Sequence, residues 1–288
     1  MSGSTEPAIQ IAFQPTNPGQ FFACCGLLEL ADRLWGGVEG WFAGNTFHLR
    51  PTRPVSNWSA AELIDDLAQC PLTNTMTAAQ HERHEKLSAM PKKVREADAG
   101  LEAEKKSLDA LHREAPVVLG APLRYTIDWF QDDRSGGSDF KTWAGQQSVV
   151  DIASGMQRLI EREASAKEWL FRSSDGDGVP FQFDSDIGSS GSALDLGFSM
   201  DPLKATGLKT RTRPMLELAA FVGLQRFRPR RMGTDNVYHY FAWGEPLLPE
   251  AAAPVVCGAV ECLRLRGFRF SLLYRTKYLK SFLPAAQL

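Results

Sequence analysis

Asn17-Pro18-Gly19-Gln20-Phe21-Phe22-Ala23-Cys24-Cys25-Gly26-Leu27-Leu28-Glu29-Leu30-Ala31-Asp32-Arg33-Leu34-Trp35 reads as a helix with both ends marked. Asn17 is a strong N-cap, Pro18 suits the first helical position, and Gln20 is placed to reach back as in a capping box. Gly36-Gly37 ends the helix. Nearly every side chain between is apolar, and the polar ones fall late, at Glu29, Asp32 and Arg33. A helix apolar on most of its circumference is buried on most of it. The small run Ala23-Cys24-Cys25-Gly26 allows another backbone to approach closely. Upstream, Ile9-Gln10-Ile11-Ala12-Phe13 alternates with period two, as a half-buried strand does. A strand therefore enters, turns between Pro15 and Pro18, and feeds a central helix.

A second stretch echoes the first: Arg213-Pro214-Met215-Leu216-Glu217-Leu218-Ala219-Ala220-Phe221-Val222-Gly223-Leu224-Gln225-Arg226-Phe227. Pro214 suits a first helical turn, Glu217 lies where the macrodipole favours an anion, and Pro229 stops the helix. Gly223-Leu224 mirrors Gly26-Leu27. Two such helices are expected to pack on each other or on one sheet.

The remaining elements follow from pattern. Trp41-Phe42 and Thr46–Arg50 flank Gly44-Asn45 as a hairpin. Ser59–Gln69 is a short amphipathic helix. Leu123–Phe130 reads as a strand, Thr142–Ala166 as a helix, and Ser173–Ser192, rich in Gly, Ser and Asp, as a flexible loop. Tyr238–Trp243 is a strand and Ala251–Leu265 a helix of small residues. In Phe268–Tyr278, Phe268, Phe270, Leu272, Tyr274 and Tyr278 fall on one face, and Arg269, Ser271, Arg275 and Lys277 on the other. Residues 78–114 are charged and mixed in sign. Leu87, Val94, Leu101 and Leu108 trace a narrow heptad seam there, with Met90, Ala97, Glu104 and Leu111 beside them, and a helix is expected from Pro91 to Glu114. It is either a projecting helix or helical hairpin docked on a neighbour, or a solvated surface helix with one weak apolar stripe. The fold class is α+β, with a mixed, mainly antiparallel sheet, buried helices and one projecting charged helix. Its parts are 1–75 (strand–helix–strand), 76–115 (charged helical insertion) and 116–288 (α+β part with a basic surface).

Composition is that of an ordinary globular chain of 288 residues. No apolar run reaches transmembrane length, and Met1–Glu6 lacks a signal pattern, so a cytoplasmic protein without membrane association is expected. Cys24, Cys25, Cys70, Cys257 and Cys262 are odd in number and form no C-x-x-C pair, which argues for reduced thiols over disulfides or zinc. No Gly-Lys pair of a phosphate loop and no G-x-S-x-G elbow occurs. Asp175-Gly176-Asp177-Gly178 begins like a calcium loop, but Pro180 stands where that loop needs Gly. His81 and His84 have helical spacing without a completing ligand pattern, and Asp132-Asp133 read as turn residues without a basic companion. No catalytic residue, metal site or cofactor is assigned.

Charge is unevenly placed. From Lys204 to the end, fourteen Lys/Arg stand against five Asp/Glu, while Met1–Leu203 carries eighteen against twenty-nine. The candidate nucleic-acid-binding set is Lys204, Lys209, Arg211, Arg213, Arg226, Arg228, Arg230, Arg231, Arg269, Arg275 and Lys277, interleaved with Phe227, Tyr238, Tyr240, Tyr274 and Tyr278. Arginine-rich composition suits bidentate phosphate contacts. The other reading of Arg226 and Arg228 is complementing a helix C-terminus, and some arginines are expected to pair with the acidic part.

The stretch Asn17–Ala31 resembles the opening motif of a CRISPR-associated family of type I-U (I-G) systems. Gly197-Phe198-Ser199-Met200-Asp201-Pro202 and Arg213-Pro214 through Phe227-Arg228-Pro229 are similar to its later motifs. The resemblance covers most of the chain in scattered blocks; the first is the most specific. It implies a Cascade subunit of a reduced large-subunit type, much shorter than the usual large subunit. Its partners would be guide RNA, target DNA, the other Cascade subunits and a recruited helicase-nuclease. No catalytic residue carries over. The rivals are a guide-RNA-processing endonuclease with His48 or His239 as general base, and a protein-only scaffold whose basic face meets an acidic partner.

Overall fold

In the computed structural model, residues 9–56, 58–134, 137–143, 145, 147–161, 170–176, 180–187, 210–233, 236–274 and 280–288 are described. Strand β1 (Ile9–Ala12) leads into α1 (Pro18–Trp35), and the hairpin β2 (Val38–Ala43) and β3 (Thr46–Pro51) follows. These strands form a three-stranded antiparallel sheet in the order β1-β3-β2. Then come α2 (Ala60–Gln69), β4 (Leu72–Asn74), α3 (Ala78–Ala89), α4 (Lys92–Glu96), α5 (Ala99–Glu114), β5 (Val117–Leu119), β6 (Tyr125–Ile127) and α6 (Val149–Arg158). Strands β7 (Ser174–Gly176) and β8 (Thr210–Thr212) pair before α7 (Pro214–Arg226). The C-terminal part contains β9 (Arg230–Arg231), β10 (Val237–Trp243), α8 (Pro249–Val256), β11 (Arg264–Tyr274), β12 (Lys280–Phe282) and β13 (Ala286–Gln287). Every pairing of named strands among the described residues is antiparallel, and the fold is α+β.

The two apolar helices pack on each other as the sequence leads one to expect, and the packing depends on glycine. A Cβ on Gly26 would lie 1.9 Å from the carbonyl oxygen of Ala219, and one on Gly223 would lie 2.2 Å from that of Phe22. Backbone meets backbone where the side chains vanish. At the entry to α1, Asn17 Oδ1 accepts from Gln20 N at 3.2 Å, and Gly36, at φ 71°, ends the helix with its N–H on Asp32 O at 2.7 Å. Gln20 does not close a capping box: its side-chain carbonyl takes the N–H of Gln14, at 2.7 Å.

The helix pair is sandwiched by aromatic groups. Phe21 lies 4.5 Å from Tyr240 and 5.0 Å from Phe42 between ring centres, which ties α1 to the five-stranded sheet and to the β1-β3-β2 sheet. Phe181 stacks on Phe221 of α7 at 4.5 Å. One contiguous core results, with a small satellite of Met76, Leu87, Leu108 and Ala115 under the charged helices.

Several sequence expectations are corrected. The strand expected at Leu123–Phe130 is only Tyr125–Ile127, because Gln225 Oε1 accepts from both Asp128 N and Trp129 N, each at 2.9 Å, and bends the chain into a 3-10 turn. The helix expected from Thr142 starts at Val149, since the Thr142 carbonyl accepts from Lys280 N at 3.0 Å and its hydroxyl donates to Phe181 O, partners outside any helix. The described part of Ser173–Ser192 is not a free loop: Phe181 and Phe183 are buried, and Glu217 accepts the N–H groups of Phe183 and Asp184 at 3.2 and 3.0 Å. The expected helix Ala251–Leu265 ends at Val256, before Gly258 at φ 77°, and the chain turns into β11. The expected helix Pro91–Glu114 breaks at Ala97-Asp98 into α4 and α5, with Asp98 capping the second through Gly100 N at 2.8 Å. Along the heptad seam Leu87 and Leu108 are buried, whereas Val94 is 56% exposed.

Candidate nucleic-acid interface

The sheet β12-β11-β10-β9 (with β13 also on β11) has one apolar face and one polar face. Tyr238 and Tyr240 of β10 and Phe268, Phe270 and Leu272 of β11 point into the core, as the period-two pattern requires. Tyr238 and Tyr240, with Phe227, are therefore core aromatics and not surface stacking groups. The opposite face carries Val237, His239 and Phe241 from β10 and Arg269 and Ser271 from β11. The register sets His239 directly between Arg230 on β9 and Arg269 on β11. Three cationic or protonatable side chains thus stand abreast across three strands. Like charges directly opposite in a sheet destabilise it, so nothing in strand pairing explains the row. Among the described residues no carboxylate pairs with Arg230, His239 or Arg269. Partial burial, then Arg269 and Arg230, hold the His239 imidazole below its ordinary range.

The other described members of the set stand differently. Arg213 Nη1 meets Asp184 Oδ2 at 2.9 Å and Asp186 Oδ2 at 3.3 Å. Arg226 bonds Glu29 at 2.5 Å and approaches Glu250 at 3.7 Å. Arg228 meets Asp132 at 2.7 Å, which corrects the reading of Asp132 as lacking a basic companion. Arg231 meets Asp139 at 2.5 Å, and Arg211 Nε donates to Ser173 Oγ at 3.0 Å. These arginines are engaged inside the chain; Arg226 and Arg213 tie α7 to buried acids on α1 and on the 180–187 segment. Lys204, Lys209, Arg275 and Lys277 lie outside the described residues, as does the block Gly197–Pro202. The structure therefore brings Arg230 and Arg269 together, and adds His239, which the charge count passes over. The signal for it was present: His239 shares its face with Val237 and Phe241 in the same alternation.

The remaining titratable groups have structural surroundings. His48 stacks on Trp41 at 5.1 Å, its Nδ1 is buried without a hydrogen-bond partner, and burial lowers its affinity for a proton. His84 lies on His112 at 4.7 Å between rings, with Asp109 2.8 Å from His84 Nε2 and Asp151 3.3 Å from His112 Nε2. Among the described residues no group of three or more His, Cys, Asp or Glu is placed to hold a metal ion, and no helix is long and apolar enough to cross a membrane. Cys24, Cys25 and Cys70 are buried, and desolvation pushes their thiols up, Cys70 to about 11. Such thiols are unreactive. No family model, no curated protein and no solved structure matches the chain.

Proposed function

We propose that this chain is a non-catalytic subunit of a CRISPR type I-U interference ribonucleoprotein, acting in the cytoplasm and contacting guide RNA or target DNA through the outer face of the C-terminal sheet. The motif resemblance supplies the complex. The observation that carries the contact is the row Arg230–His239–Arg269, standing abreast with no carboxylate against it among the described residues, while the neighbouring arginines of the set are neutralised within the chain. In such an assembly base pairing supplies sequence specificity and protein cations track the phosphate backbone. The other Cascade subunits and a recruited helicase-nuclease are its protein partners, and it uses no cofactor.

The ion pairs decide which arginines to exchange. Glu in place of Arg228 and Arg231 would set like charges against Asp132 and Asp139, so a loss of binding there would mix folding with recognition. Arg230→Glu with Arg269→Glu touches no ion pair among the described residues. That variant is expected to lose on the order of 10-fold or more in affinity for guide RNA or target duplex, with a salt slope flatter by about one unit for each arginine that touches a phosphate. Binding by filter retention at several salt concentrations, alone and in the assembled complex, measures both. Unchanged affinity and slope would remove the row from the nucleic-acid path. Loss of subunit assembly with nucleic-acid binding intact would assign it to an acidic protein partner. Cleavage of repeat RNA by the purified chain, abolished in His239→Gln, would favour the endonuclease.

A further inference from the structure

We infer that the Arg230–His239–Arg269 row takes up a proton at His239 when a nucleic-acid phosphate seats on it, so that this interface tightens as pH falls. The inference rests on the reading of the row as a nucleic-acid contact and adds its third donor and its regulation. The geometry comes first. Neighbouring strands lie about 4.8 Å apart, so a guanidinium stem rises on each side of the imidazole at about that spacing. Arg230 faces it from β9 and Arg269 from β11. On its own strand it is flanked on the same face by Val237 and Phe241, and diagonally on β11 by Gly267 and Ser271, none of them titratable near neutrality. Tyr238 and Tyr240, the adjacent residues of β10, belong to the opposite, buried face. Strand register thus sets two positive charges, Arg230 and Arg269, against His239, while Arg228, two residues before Arg230, is held by Asp132.

That arrangement favours a neutral imidazole in the free protein, in line with the downward shift from burial, Arg269 and Arg230. A phosphate laid across the row lowers the local positive potential. Its single negative charge offsets part of the two guanidinium charges and it accepts an N–H from the ring, and an imidazolium has two N–H donors where the neutral ring has one. The free row is favoured without the proton and the occupied row with it. Balance is simple: the chain, one phosphodiester anion and one proton from solvent combine, and no covalent bond forms or breaks. By linkage, affinity rises as pH falls through the interval between the free and occupied His239 values, by at most about tenfold per pH unit for one proton. Arginine does not titrate in this range and contributes no slope of its own.

Isothermal titration of the full chain with a twelve-nucleotide oligouridylate, and with oligothymidylate of equal length, tests this at neutral pH in two buffers of different ionisation enthalpy. Wild type is expected to take up a measurable fraction of one proton per oligonucleotide bound and to bind several-fold tighter at pH 6 than at pH 7.5. His239→Gln should bind with no uptake and a flat pH profile. His239→Arg, with a permanent charge, should bind at pH 7.5 as tightly as wild type does at pH 6, also with a flat profile. Thermal melts of both variants confirm that they fold. Equal uptake in wild type and His239→Gln, or none in wild type, overturns the proton linkage. If that happens while Arg230→Gln with Arg269→Gln still weakens binding at every pH, the nucleic-acid reading stands and only the linkage is lost. If the double arginine variant binds as wild type does, or wild type binds neither oligonucleotide, both readings fall.

Discussion

Gly26 and Gly223 are the residues on which the helix crossing turns. The atoms a side chain would strike at each are backbone carbonyl oxygens, Ala219 O and Phe22 O, which cannot swing aside as a flexible side chain does. Gly26→Val is expected to cost about 3 kcal/mol or more, at or above the usual range for overpacking a core, and urea unfolding followed by circular dichroism would measure it. Glu217 makes a different argument. It is buried among α7, Phe183 and Asp184, and desolvation pushes its carboxyl up to about 8 against an ordinary 4.5, although backbone N–H groups pull the other way. Its folded value is raised, so its contribution is complete below about 4.5 and is lost as pH climbs through about 8. Glu217→Gln can accept only one of the two backbone N–H groups with its single amide oxygen, and is expected to be less stable than wild type at pH 5. It should also lack the decline between pH 5 and pH 8.5, so the two stabilities converge as pH rises. A gap in denaturation midpoint between the two proteins that stays constant across that interval would contradict the assignment.

At the scale of elements, the charged insertion shows how pattern and packing separate. Its mixed charge and its helical character are legible in the sequence, but the seam is not continuous: Leu87 and Leu108 are buried, Val94 and Leu111 are exposed, and Glu104 is held by Arg83 at 2.6 Å. The insertion leaves the body at Asn74 and returns at Val117, and these two residues are paired across β4 and β5. Thr75 N also donates to Pro116 O at 3.0 Å, so the two ends are already hydrogen-bonded. Its contacts back to the body include His112–Asp151 and Glu114–Lys141, both with one largely exposed partner. Exposed pairs of this kind contribute about 0–1 kcal/mol each. Replacing residues 76–115 with a short Gly-Ser turn is therefore expected to leave a cooperatively folding body, checked by a single sharp thermal transition. A molten body would mean that the satellite cluster supports the main core. The same shortened chain bears on function: if the insertion docks a partner, the body folds yet fails to enter the assembled complex.

Across the whole molecule, the acidic and basic parts of the chain neutralise each other. Glu29, 2% exposed, receives Arg33 from its own helix and Arg226 from α7, so the two parallel helices end on one shared carboxylate. Arg226→Met leaves Glu29 with Arg33 alone and should cost about 2 kcal/mol by denaturant titration, below the roughly 3–5 kcal/mol typical of a fully orphaned buried charge. The C-terminal strands close the structure on its beginning: Ala285 N donates to Thr16 O at 2.7 Å and the Tyr240 hydroxyl to Pro15 O at 2.6 Å. Phe282 is fully buried against Phe183 at 5.0 Å and Phe270 at 5.1 Å. Phe282→Ala is expected to cost about 3–5 kcal/mol by calorimetry, although the residue lies in a three-residue strand.

Local pattern was enough for the elements that carry their own physics. Asn17, Pro18 and Gly36 mark α1 because capping and φ restrictions act within a few residues. Gly26 and Gly223 announce a close helix contact because only glycine leaves room for one. The alternation in β10 and β11 assigns faces because side chains in a strand point to opposite sides in turn. What local pattern lacks is the identity of partners far along the chain. Gln225 bends Trp129 into a turn across 96 residues, Glu217 captures the backbone of Phe183, and Asp132 and Asp139 neutralise arginines that composition alone grouped with the free ones. Charge counting treats every arginine alike, whereas ion pairing depends on which carboxylate the fold brings within reach. Only the register of β9, β10 and β11 places Arg230, His239 and Arg269 side by side, since strand register is set by long-range pairing and not by any one strand's own residues.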